Sequence, residues 1–155
     1  MSLKCNVSEH LCALRLAAFG SPVQYSHMIQ GPLYPLKQFV ADLHWAVREA
    51  AELPMEVRRK AIADHAIANY PEDHHMMEHC HRLQRCVDYI VEHFSEIAAK
   101  GLVSRSKTTC ELSPHLVGAL YQIFAGNELE LLTREIPIAH ILDLAADQQH
   151  LFPAN

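Results

Sequence analysis

Apolar residues recur at helical spacing through most of the chain. The longest run lies between Tyr70 and Lys100, where Met76, Cys80, Leu83, Val87, Ile90, Phe94 and Ile97 follow at steps of four and three. Pro71 suits a first helical position, where the missing N–H costs nothing, and Glu72 and Asp73 favour the positive end of the helix dipole. Gly101 supplies a left-handed stop. The spacing predicts a helix over 71–100, roughly 45 Å long, as the spine of the fold. His74, Glu78, His81, Arg85, Asp88 and Glu92 fall opposite the stripe and read as solvated surface. One flank carries His75, His79, Cys86 and His93 and should face a neighbouring helix.

The same reading places the other elements. Asn6 or Ser8 caps a first helix that ends at Gly20, apolar over a wide arc through Val7, Leu11, Leu14 and Phe19. Residues 20–35 hold Pro22, Pro32 and Pro35, which excludes a regular helix across the stretch and suggests an apolar arm with Tyr25, Met28, Ile29 and Tyr34. Pro35 opens a helix to about Glu52, with Leu36, Val40, Leu43, Val47 and Ala50 inward and Phe39 beside them. Trp45, the single tryptophan, falls on the far side with Gln38 and Asp42. Pro54 starts a shorter helix to about Asn69 whose apolar face is thin. Residues 101–112 read as a polar loop. Ser113-Pro114 begins a helix through Ala125, Asn127 with Glu130 forms a capping-box-like pair, and Pro137 starts a final helix. No run reads as a strand. The prediction is an all-α, single-domain bundle over 1–155, with about six or seven helices around the long central one.

Composition narrows the function classes. At 155 residues, half of them apolar, the chain can bury a sizeable core. A formal charge of −5 argues against a general nucleic-acid binder, which needs a basic face. Twelve histidines would turn that charge from −5 to +7 if all were protonated, one unit per ring, so association should depend on pH. Five cysteines without a C-x-x-C do not form a disulfide framework. The apolar run Leu11–Phe19 is short and broken by Arg15, as in neither a signal peptide nor a membrane span. A reduced, cytoplasmic protein is expected, with no membrane partner.

The candidate chemistry is histidine chemistry. His75 and His79, at i and i+4, present two imidazoles on one helix face, the arrangement by which helices chelate zinc, nickel or iron. A site needs further ligands from a facing helix, and His44 and His65 are the candidates. The string from His75 through Glu78 to His79 resembles the H-x-x-E-H of inverzincin metallopeptidases. That family's mixed α/β domain and downstream acidic ligand have no counterpart here, and Glu78 falls on the opposite face. With His44 upstream, the pair is also similar to part of a hemerythrin-type bundle, which would imply a di-iron site. The His-x-x-x-Glu of the family's third helix is missing, and Ala145 stands where its final Asp would be expected after His140. Arg58 and His65 loosely resemble the Arg and His of HEPN-type ribonucleases, implying acid–base and phosphate-binding roles, although no surrounding signature is present. Glycine-rich phosphate loops and nucleophile elbows are lacking.

Two functions follow as expectations. The first is a non-catalytic binding or regulatory protein of adaptor type, assembling as a homodimer through Trp45 and the arm residues Tyr25, Met28, Ile29 and Tyr34. The second is a helical metal-binding protein centred on His75 and His79.

Overall fold

A computed structural model describes residues 34–105 and 110–147. The expected first helix, and the arm with Tyr25, Met28 and Ile29, lie outside the described residues. The chain is an all-α bundle with one small two-stranded sheet among the described residues.

Pro35, extended at φ −62° and ψ 140°, leads into α1, Leu36–Glu49. Leu36, Phe39, Val40, Leu43, Val47 and Ala50 are all buried, as their spacing predicts. Asp42 and His44 are buried too, so α1 is covered on a wider arc than its apolar stripe. Pro54 precedes α2, Met55–Asn69, whose only buried side chains are Arg58, Ile62 and Ala66. This helix lies along α3, Met76–Glu92.

Two findings correct the predicted spine of 71–100. Its start is five residues later, because Asp73 Oδ1 accepts the His75 N–H at 2.8 Å and holds 70–75 as turns. An aspartate bonding the backbone two residues on competes with helix, and here it overrides the Pro71 signal. The spine is also broken at His93, which sits at φ −109° and ψ 23° between α3 and the short α4, Phe94–Ala99. The His93 ring lies 4.5 Å from the Tyr89 ring and 3.5 Å from the Glu96 carboxylate, and the bonds from the His93 N–H to Tyr89 O and from the Ile97 N–H to His93 O carry the chain across the break. The apolar stripe itself continues across the break, with Cys80, Leu83, Val87, Ile90 and Ile97 buried.

Gly101, at φ +71°, ends α4 as predicted. The Gly101 N–H bonds Ala98 O at 2.9 Å and the Leu102 N–H bonds Ile97 O at 3.2 Å, the paired bonds of a Schellman cap. Beyond it the predicted polar loop is corrected to a hairpin. β1, Val103–Arg105, pairs antiparallel with β2, Cys110–Leu112, with Val103 opposite Leu112. Both of those side chains are buried, so the pair seals the core beside α1.

Ser113 caps α5, Pro114–Phe124, accepting the His115 N–H at 3.1 Å, with Pro114 in the first turn. Asn127 does not form the expected capping box. Its side-chain amide donates instead to Gln122 O and Ile123 O, closing the C-terminal end of α5. A 3₁₀ turn, Leu129–Thr133, then leads to α6, Ile138–Asp147, which packs on α5. The core lies between α1, α3 and α5, with α2 and α6 on its flanks. Among the described residues, no helix is long and apolar enough to cross a membrane.

Candidate functional site

Buried charge gathers at two carboxylates. Asp42 projects from α1 and is 3% exposed. It accepts hydrogen bonds from the Tyr34 hydroxyl, from the Tyr70 hydroxyl at 2.9 Å and from His65 Nε2 at 3.3 Å. The His65 tautomer follows from its partners. Nε2–H faces a carboxylate, and Nδ1 accepts from the Asn69 amide at 3.1 Å. Burial, reinforced by Asp42, pushes the Tyr34 and Tyr70 hydroxyls above their ordinary pKa, so both stay protonated and remain donors. Tyr121 donates to the Tyr34 carbonyl at 3.0 Å, which fastens this corner to α5.

Trp45 belongs to the same corner. Its ring is half-buried and stacks on His65 at 3.8 Å with planes 13° apart, while the arm expected to lie beside it falls outside the described residues except for Tyr34. Tyr34, expected beside a contact surface, lies in the core at 1% exposure.

The second carboxylate, Asp88 of α3, receives two arginines from α2. Arg58 reaches Oδ1 at 3.0 and 2.7 Å, and Arg59 reaches Oδ2 at 2.8 and 2.6 Å. Arg58 also donates to Leu53 O at 3.1 Å. The Arg58 and His65 side chains are therefore held in two separate networks. Further along α3, buried Arg82 donates to Phe124 O and Asn127 O, and Arg85 donates to Leu132 O at 3.1 and 2.7 Å. Arg85 and Asp88, expected as solvated surface, are half-buried because the 3₁₀ turn and α2 supply partners. Beside them an open polar cavity of about 380 Å³ runs between α3 and residues 132–136. Tyr89 spans it, donating to Ile136 O at 2.9 Å.

The sequence-predicted metal ligands divide into two groups. His75 and His79 are brought together, with ring centroids 5.9 Å apart. His79 is buried and stacks on Tyr34 at 4.5 Å. Burial lowers its pKa; Asp73 opposes that shift and His75 adds to it. His44 and His65 do not join them through the structure's bonds. His44 donates Nδ1–H to Val40 O at 2.9 Å, and His65 is held by Asp42 and Asn69. Among the described residues, no three His, Cys, Asp or Glu side chains stand as a set that could hold a metal ion. The Asp42 and Asp88 hubs went unread in the sequence. The only local signal is an acid flanked by apolar residues in mid-helix, and it names no partner.

No family model, curated protein or solved structure matches this chain.

Proposed function

We propose that this chain acts by binding, as a regulatory or adaptor-type protein that assembles as a homodimer in the cytoplasm. The commitment of its polar groups to one another carries the reading. Asp42 is taken up by Tyr34, Tyr70 and His65, Asp88 by Arg58 and Arg59, and Arg82 and Arg85 by backbone carbonyls. Groups held in this way build a scaffold, whereas catalysis needs a base or nucleophile poised toward a substrate.

Exposed apolar side chains supply the positive side of the argument. Among the described residues, Met55, Val57 and Ile67 of α2 and Met77 of α3 are each 51–55% exposed, on two helices that lie along one another. The buried free thiols of Cys80 and Cys86 agree with a reducing compartment. Sedimentation equilibrium at micromolar concentration tests the assembly. A mass near twice 17.5 kDa is expected, and a clean monomer at 17.5 kDa removes the dimer.

A further inference from the structure

The outer face of α2 is symmetric about its own middle. The helix turns Arg58, Ile62 and Ala66 inward. On the opposite side stand Val57, Lys60, Asp64 and Ile67, at steps of three, four and three. At about 100° per residue these four fall within about 80° of the helix circumference, facing away from Ile62. All four are open to solvent. Val57 is 51% and Ile67 52% exposed, and the side chains of Lys60 and Asp64 are 76% and 61% exposed. Scattered exposed apolar residues need no explanation, but the order of these four does. Val57 and Ile67 stand five residues either side of Ile62, and Lys60 and Asp64 stand two residues either side of it.

A two-fold axis at the level of Ile62 therefore lays α2 antiparallel on a copy of itself, with Val57 opposite the partner's Ile67 and Lys60 opposite the partner's Asp64. Each contact then occurs twice, as an isologous interface requires. A parallel pairing would instead set lysine against lysine and aspartate against aspartate, so charge selects the antiparallel one. Ala61 and Ala63, one residue either side of the axis and half-buried, are small enough to let two helices approach to about 8–10 Å. Within one chain Lys60 Nζ already lies 2.8 Å from Asp64 Oδ2, so pairing closes a ring of four alternating charges between two apolar ends. We propose that α2 is the contact of the homodimer, docking antiparallel on the α2 of a second copy of this chain. Val57 and Ile67 supply its apolar ends, and Lys60 and Asp64 set its register. The occupant is a second copy because the stripe complements itself in both polarity and charge, a symmetry that an unrelated partner does not require. The inference rests on the homodimer reading above and adds the surface to it.

Sedimentation equilibrium of the full chain reads the dimer constant of wild type and variants. Ile67→Glu places a charge against the partner's Val57 twice over and should weaken the dimer at least about tenfold. Lys60→Glu sets an acid against the partner's Asp64, and Asp64→Lys sets a base against the partner's Lys60. Each alone should weaken association about tenfold. An equal mixture of those two variants should recover to within about threefold of wild type, because the introduced glutamate then meets the introduced lysine across the contact. The pair within each chain stays broken in both variants, so only contact between chains accounts for that recovery. All the substituted positions are exposed, and thermal melts by circular dichroism should show every variant folded. A wild-type dimer that survives Ile67→Glu unchanged overturns the α2 contact and leaves the homodimer reading standing. A mixture as weak as its two components overturns the antiparallel register, and with it the proposal. A monomeric wild type removes both the contact and the homodimer, and is the result expected if residues 1–33 of the same chain cover the stripe.

Discussion

Removing Asp88 should be far more damaging than its place on the outward side of α3 suggests. Its side chain is 12% exposed and pairs with Arg58, whose side chain is 5% exposed, and with Arg59, at 41%. In Asp88→Ala the Arg58 guanidinium stays buried with only the Leu53 carbonyl left to it. Breaking a buried pair by deleting one partner costs about 3–5 kcal/mol, and the residual exposure and the Leu53 bond place this case near 3 kcal/mol. For a chain of this length that is a fall in Tm of about 6–12 °C. Arg59→Ala removes a half-exposed ion pair and should cost less than about 1 kcal/mol. Arg58→Met/Asp88→Leu should recover most of the loss, because it withdraws both buried charges together. Urea unfolding followed by circular dichroism measures all three. If Asp88→Ala cost no more than Arg59→Ala, or if the double variant were as unstable as Asp88→Ala, the buried-charge argument would fail.

Four further outcomes follow from other contacts. Leu83→Ala, at 2% exposure in α3, should lose about 2–5 kcal/mol in the same melts, and a loss under 1 kcal/mol would put the helix phase in error. Arg85→Ala gives up two charged donors to Leu132 O and should cost about 1–2 kcal/mol, so a change within about 0.5 kcal/mol would mark those bonds as solvent-equivalent. Burial, then Glu92 and Glu96, pushes the Tyr89 hydroxyl up to about 12 against about 10 in an unfolded chain. The unfolded chain loses that proton first, so the contribution is whole below about pH 10 and is lost as pH rises toward about 12; Tyr89→Phe should flatten this alkaline decline in the urea midpoint, and an unchanged slope would refute it. His65→Ala uncovers one face of Trp45 and should shift its emission to longer wavelength, whereas an unaltered spectrum would mean the stack is not populated.

Local periodicity made some elements legible. In α1 every fourth or third residue from Leu36 to Ala50 is aliphatic, and all of them are buried. The start of α5 could be read because Ser113 and Pro114 leave one choice of first turn. The central helix was overextended because its stripe really does run on to Ile97, so only the backbone of His93 reveals the break. Three-residue strands give too little alternation to recognise, and the Val103–Leu112 pairing depends on a contact nine residues apart. The site was less legible for a related reason. Asp42 meets Tyr34, His65 and Tyr70 across 8, 23 and 28 residues, and Asp88 meets Arg58 across 30. A pattern read in windows of two turns places such acids on the outer side of a helix. Folding then supplies their partners. The nearness of His75 to His79, with ring centroids 5.9 Å apart, is set by four residues of local chain where the turn enters α3.

The two carboxylates have a joint consequence for α2. Asp88 grips its first turns through Arg58 and Arg59, and Asp42 grips the far end through His65 and Tyr70. Between those grips Ile62 and Ala66 are the fully buried apolar residues, with the small side chains of Ala61 and Ala63 half-buried beside them. A helix fastened mainly by polar contacts at its ends has little to hold its middle once one end lets go. In amide hydrogen exchange, α2 and the 70–75 turn should therefore open as one cooperative unit, at a lower free energy than α1, α3 and α5. Such an opening would bare Asp42 and Asp88 to water together and leave the three-helix core standing.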